Sequence, residues 1–291
     1  FQINYFIYKI LSTMIKSIFS IIALLSFQFV LAQKNASKVQ LTKGQKIRMM
    51  SKDTSNIKQK RGEESMDMKT LSSSMTKVEI LEVNDKGYLA TATVKKIKVD
   101  FDGFGQKMIY DSEDPAKQQG MMADNMKNIL DKADTIRLDF DGKKIEDDEK
   151  GESKKGKGRG GMMRMMNQGG GNVENAFLLV PAEAKEGNGW KKDASKEDVR
   201  TQTIYFVEKI TGNLATVSFK RKTKGTVSRS GGQGGDMKIE MDNLSSGLIT
   251  VDVQTGLVKS YTETTNSNSK TNMMGQEMPS TGVTTTDIVF E

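Results

Sequence analysis

The sequence predicts a mainly β protein: antiparallel strands in two related β-rich halves, with one or two short helices. Three observations carry this. Leu89-Ala90-Thr91-Ala92-Thr93-Val94 is nearly repeated as Leu214-Ala215-Thr216-Val217-Ser218-Phe219. In both copies an apolar set (Ala90, Ala92, Val94; Ala215, Val217, Phe219) alternates with Thr and Ser, the period of two of a half-buried strand. Each copy follows a turn signal, Asn84-Asp85-Lys86-Gly87 or Thr211-Gly212, and an apolar-polar run at 78–83 or 204–210, so each closes a hairpin. An offset of about 125 positions fits a duplicated domain or half-domain rather than a solenoid. The pattern is compatible with a curved sheet, a sandwich or a barrel-like closure.

Residues 1–32 read as an upstream extension plus an export signal. Met14-Ile15-Lys16 is a short positive start, 18–31 is apolar, and Val30-Leu31-Ala32 resembles a small-residue cleavage site before Gln33. The alternative is an uncleaved anchor helix, but the apolar run is short for a span. The first β-rich half is placed at 33–145. A strand at 38–50 is interrupted by Lys43-Gly44-Gln45. Residues 51–64, polar and charged, read as loop or strand ends. Residues 66–83 are β-like, and Ile97, Val99 and Phe101 extend the repeat strand. Met121, Met122, Met126, Ile129, Leu130 and Ala133 fall at helical spacing after Pro115, which predicts a helix over 115–133. Residues 135–140 alternate again.

Residues 146–171 form an acidic block followed by a Gly-, Lys- and Met-rich run, a composition that buries little and predicts a disordered linker. The second β-rich half is placed at 172–291. It opens with a short helix ended by Pro181. Gly187-Asn188-Gly189-Trp190 reads as a turn presenting the only Trp as a core plug. Hairpins at 204–220 and 248–261 follow, and 283–290 closes the chain.

The chain has 291 residues, no Cys, no His and a formal charge of +7. That composition excludes Ser-His-Asp and Cys-His nucleophiles, His/Cys zinc sites, thiol redox centres and disulfides. An enzyme would have to work with carboxylates, Lys and Tyr. The cationic excess concentrates between Lys150 and Gly171 and the remainder is near neutral, which argues against a nucleic-acid face on the folded part.

The signal ending Leu31-Ala32-Gln33, the element Leu41-x-Lys43-Gly44-Gln45, Tyr110-Asp111-Ser112, and Gly189-Trp190 before the second hairpin resemble a family of exported proteins of Bacteroidota-type bacteria that carry a domain of unknown function. The resemblance covers 33–291 and departs at the 150–171 insertion. It implies export and a duplicated β fold, and it brings no catalytic residues.

Candidate sites are few. Asp-Phe-Asp-Gly occurs at 100–103 and 139–142; paired carboxylates could hold Ca²⁺, but the third-ligand positions are Phe104 and Lys143, and Asp-Gly is a turn signature. Met162, Met163, Met165 and Met166 are the candidate metal ligands, because thioethers select Cu(I). The same Met-Met-x-x-x-Met spacing occurs at Met121, Met122 and Met126 and at Met273, Met274 and Met278, where Met also serves as core filler. The basic run Lys154-Lys155-Gly156-Lys157-Gly158-Arg159 has no interleaved aromatic and reads as a solvated loop. Glu208, Lys209, Asp252 and Tyr261 could be gathered by folding into an acid-base site. The favoured expectation is a non-enzymatic exported β protein that binds a lipid-like or extended ligand or an envelope component. The alternatives are periplasmic Cu(I) binding and a carboxylate-based hydrolase.

Overall fold

The computed structural model describes residues 35–145, 172–229, 237–273 and 275–291. The chain divides into 1–34 and a compact unit, Asn35–Glu291, to which every described element belongs. In chain order these are β1 (Lys46–Arg61), β2 (Glu64–Asn84), β3 (Gly87–Gly103), β4 (Gln106–Asp111), α1 (Gly120–Lys127), β5 (Ala133–Leu138), β6 (Gly189–Lys196), β7 (Val199–Thr211), β8 (Leu214–Arg229), β9 (Met237–Asp252), β10 (Leu257–Met273) and β11 (Gln276–Phe290).

The strands make one antiparallel 11-stranded sheet in the order β4-β3-β2-β1-β11-β10-β9-β8-β7-β6, with β5 also on β3. The sheet is open: β4 and β5 border one side and β6 the other. The chain starts in the middle at β1 and meanders out to β5. It then re-enters at the far edge as β6 and meanders back until β11 pairs with β1. The repeated stretches occupy matching places. Residues 89–94 lie in β3 between β2 and β5, and 214–219 lie in β8 between β7 and β9. The series β1-β2-β3-β5 and β6-β7-β8-β9 run across the sheet in the same sense. Each repeat hairpin carries a bulge before its turn, between Ile80 and Glu82 in one and between Val207 and Lys209 in the other.

One end of one face is sealed. Val78, Ile80, Ala90, Val207, Ala215, Val217, Ile249, Val251, Ile288 and Phe290 form a dry core there, and Val39, Leu41, Phe177, Leu178 and Val180 cover it. Backbone bonds tie the covering segments down: Ala36 N donates to Val253 O (2.7 Å), Val39 N to Phe140 O (2.8 Å) and Leu178 N to Gly256 O (2.9 Å). Gly142 is required in this cover. Its φ is +79°, and a Cβ would lie 2.5 Å from the Phe177 side chain. A satellite core of Met68, Ile97, Val99, Phe101 and Tyr110 lies under Ala123 and Met126 of α1.

Several strands exceed their apolar patterns. Residues 51–64, expected as loop or strand ends, lie mostly in β1, paired on both sides by β2 and β11. Their Ser, Thr, Asn and Lys residues show no hydrophobic alternation, so a two-sided ladder and not burial holds them extended. The expected helix over 115–133 is a 3₁₀ turn at Pro115–Lys117 followed by α1, and 133–138 is already β5. The short helix after Asn172 is a 3₁₀ turn, Val173–Ala176, with Asn172 as its cap. Trp190 stands second in edge strand β6, not in a turn. It is half-buried and stacked on Tyr205 at 4.8 Å, packing against the main core.

Ile80 is 1 % exposed and Leu71, on the same strand, 51 %. Ile80→Ala is expected to cost about 2–5 kcal/mol in urea unfolding, and Leu71→Ala no more than about 0.5 kcal/mol. Equal costs would contradict the one-ended core.

Candidate binding face

Beyond the sealed end the same face runs on along the strands, and its side chains change from apolar to hydroxyl. Strand register makes rows of them. The first row outside the core reads Trp190, Tyr205, Phe219, Gly247, Glu263, Thr286, Asp53, Ser72 and Val99 across β6 to β3. The next reads Thr203, Arg221, Ser245, Thr265, Thr284, Ser55 and Thr70. The one after reads Ala194, Thr201, Thr223, Asn243, Ser267, Gly282, Ile57 and Met68. Most of these residues are half-buried, while their reverse-face neighbours on the strands are largely exposed. Cross-strand hydroxyls bond one another: Ser51 with Ser74 (2.9 Å), Ser55 with Thr284 (2.9 Å), Thr201 with Thr223 (3.2 Å) and Ser245 with Thr265 (2.7 Å). Further out the face is mixed: half-buried Val199, Met241, Ile239, Val227 and Met278 stand in rows with Ser269, Ser280, Gln59 and Thr271.

Charged groups mark the border between core and open face. Arg221 donates to Glu263 Oε1 at 3.0 Å, the Tyr261 hydroxyl donates to Glu263 Oε2, and the Arg221 guanidinium lies 5.1 Å over the Phe219 ring. Burial pushes the Tyr261 phenol up, so it remains a proton donor. Two strands away, Asp53 Oδ1 accepts from the Thr286 hydroxyl at 2.6 Å. Its Oδ2 is buried, without a well-formed hydrogen bond, and looks towards Ser72 on β2. Burial raises the Asp53 pKa, with the neighbouring Asp287 adding to it and the Thr286 and Ser72 hydroxyls opposing it. Asn243 Oδ1, two rows further out on β9, is likewise buried without a partner. Unpaired buried acceptors are uncommon in folded proteins. Both side chains lie among the polar rows, away from the covering segments of the main core and from α1, which caps only the β2–β3 side of this face.

The residues singled out from sequence are not brought together. Met162, Met163, Met165 and Met166, the basic run and the whole 146–171 segment lie outside the described residues, as does the 1–32 stretch expected to hold an export signal. Met126 is filler in the satellite core, 2 % exposed, and Met278 is half-buried on the outer part of the open face. Glu208 is exposed at the β7 bulge and accepts from Ser218 at 2.5 Å, whereas Tyr261 is in the core. Asp252 caps its turn, accepting from Gln254 N and Thr255 N at 2.9 and 3.1 Å. Asp139 does the same for Asp141 N and Lys143 N, at 2.9 and 2.8 Å, so this motif builds a turn. The other copy is corrected: Asp100 and Asp102 are within β3, and the turn is Phe104-Gly105, both at positive φ, with Gly103 opposite Gln106. The flanking strands are in register up to Gly103, which leaves only the next two residues for the loop. Among the described residues no three carboxylates converge as for a metal ion.

Sequence reading missed Asp53, Arg221, Asn243 and Glu263. What marks their neighbourhood is hydroxyl density, as in Ser72-Ser73-Ser74 and Thr284-Thr285-Thr286, and since hydroxyls fall on both faces it has no period of two to single out one side.

No family model and no curated protein matches the chain. Among solved structures it is similar to lipovitellin, in a structure titled for its lipid-protein interactions, with 11 % identity over 87 % of this chain and a TM-score of 0.47. It spans a quarter of that chain, 25 %. It is also similar to an outer membrane channel from Pseudomonas putida F1 (7 % identity, 88 % of this chain and 98 % of that one, TM-score 0.24). A mutant Rh. blastica porin gives 9 % identity, 84 % and 100 % coverage and a TM-score of 0.20. Scores below 0.5 do not assign the chain to any of these folds.

Because the folded-state pKa of Asp53 is raised, its contribution to stability is fully present below the unfolded value and is lost as pH rises through the folded one. Asp53→Asn keeps the acceptor for Thr286 and removes the charge. It is expected to raise the melting temperature at neutral pH, with the gain vanishing in acid where aspartate is protonated in both states. A variant that melts lower at neutral pH would show that the ionised carboxylate is well solvated or paired.

Proposed function

We propose that the chain is a binding protein rather than an enzyme, that it acts outside the cytoplasm after export, and that the open face holds an extended, lipid-like ligand. The observation that carries this reading is the change along a single sheet face: sealed core, then open hydroxyl rows bordered by Arg221 and Glu263, then an outer part where Val199, Val227, Ile239, Met241 and Met278 join small polar residues. An amphiphile matches that sequence of surfaces. Its polar groups meet the half-buried hydroxyls of these rows, such as Ser55, Thr265 and Thr284. Its apolar part lies along Ile57, Ile239, Met241 and Met278, where flexible thioethers adapt to an irregular chain. Arg221 is held by Glu263 and is thereby positioned beside the hydroxyl rows as a fixed donor.

The test is titration with a fluorescent fatty acid or lysophospholipid, and mass spectrometry of organic extracts from protein recovered under native conditions. Saturable binding is expected. Ser267 sits in the middle of the open face and donates only to Gly282 O at 3.2 Å. Ser267→Trp should fill the face and abolish binding, with unchanged circular dichroism. Binding to Ser267→Trp as tight as to the parent protein would place the ligand elsewhere.

A further inference from the structure

The reverse face of β7, β8 and β9 carries a second pattern. Along β8, Lys220, Lys222 and Lys224 alternate and are exposed. Register sets Ile204 and Phe206 of β7 on one side of this lysine column and Leu244 and Leu248 of β9 on the other. These four apolar side chains are 53, 40, 55 and 49 % exposed. Arg200 stands opposite Lys224 and Lys191 opposite Ile204. Lys224 meets Asp242 at 3.7 Å and Lys191 meets Asp193 at 3.0 Å, but Arg200, Lys220 and Lys222 have no carboxylate partner among the described residues. A shallow depression between the columns is lined by Ile204, Lys220, Lys222 and Leu244. The reverse face of β1 to β4 differs: Lys58, Lys69 and Lys98 there alternate with Asp67, Asp100, Asp102 and Asp111, and Lys98 meets Asp111 at 3.2 Å.

We infer that this patch docks the protein on an anionic lipid bilayer. The strands present apolar side chains and unpaired cations side by side on one surface. A bilayer is complementary to both at once: Ile204, Phe206, Leu244 and Leu248 enter the interface, while the lysine stems lie along them and carry their ammonium groups to the phosphates. A soluble polyanion would engage the lysines and leave the four apolar groups in water. The patch is on the face opposite the hydroxyl rows, so the inference goes beyond the ligand reading and stands without it. Together they place the ligand face outward from a surface-bound sheet.

The test is co-sedimentation with vesicles of phosphatidylcholine, with and without phosphatidylglycerol. All of the sheet and both cores lie within 35–291, so a chain begun at Gln33 is used, without the apolar 18–31 stretch that would enter vesicles by itself. Binding to the phosphatidylglycerol vesicles alone is expected, released by salt. Lys220→Glu with Lys222→Glu should weaken it by at least roughly fivefold per lysine, and Ile204→Ser with Leu244→Ser should weaken it with the salt dependence kept. Lys58→Glu with Lys69→Glu, on the balanced part of the face, should leave it unchanged, and so should Ser267→Trp. All these positions are exposed or half-buried, and unchanged thermal melts verify folding. The inference is overturned by absence of binding, by equal binding to pure phosphatidylcholine, or by unaltered binding of the Lys220/Lys222 variant. Capture of soluble polyglutamate without vesicle binding also overturns it, in favour of an acidic polypeptide partner.

Discussion

The ladder between β1 and β11, in register from Met49 opposite Phe290 to Gln59 opposite Ser280, joins the first and last strands of the molecule in the middle of the sheet. Two meanders that grow in the same sense are fused there into one surface. Without it the hydroxyl rows would break between Thr286 and Asp53 and between Thr284 and Ser55. The ladder also bears on the core, because Met49, Ile288 and Phe290 sit at its sealed end. Backbone pairing supplies extent and burial supplies anchorage, and both converge on this strand pair.

Away from the sealed end the central strands have little apolar burial to hold them. On β10 and β11 both faces carry Thr, Ser and Asn, from Thr262 to Thr271 and from Ser280 to Thr286. Flanking ladders on both sides and cross-strand hydroxyl pairs worth roughly 0.2–1 kcal/mol each hold such strands. Register would be weakly specified if the polar part stood alone, since neither face distinguishes itself. The core at one end and the satellite core under α1 fix it, and the long strands carry that register outward. A surface of small hydroxyls can stay uncovered by the chain because it is at home in water, and that leaves it free for a ligand.

How much of this was legible in the sequence follows from where the signal is hydrophobic. The repeated stretches, with Ala90 and Ala215 fully buried, announced antiparallel hairpins in duplicate because each alternates across a dry face. Residues 51–61 and 262–282 gave no such alternation, and the middle of the candidate face is made from them. Met121 and Met126 suggested a long helix, but Ala133 to Leu138 is claimed by pairing with β3, a long-range contact that helical spacing cannot report. The second Asp-Phe-Asp-Gly copy told its turn correctly because Asp139 caps locally. The first did not, because the turn at Phe104-Gly105 is set by the strand register around it. The border set of Asp53, Glu263, Arg221 and Tyr261 is assembled from β1, β10 and β8, and no local spacing foretells it.

The outer part of the core-bearing face is open and the inner part closed. Since the native chain has no Cys, single cysteines report this directly through thiol labelling. Thr223→Cys, on the open rows, and Val217→Cys, 0 % exposed in the native core, lie on the same face of β8. Rapid modification of Thr223→Cys is expected, slowed when a lipid-like ligand is bound, and Val217→Cys should stay protected until the protein unfolds. Equal protection of the two thiols in the free protein would mean that the hydroxyl rows are covered and that this face is closed along its whole length.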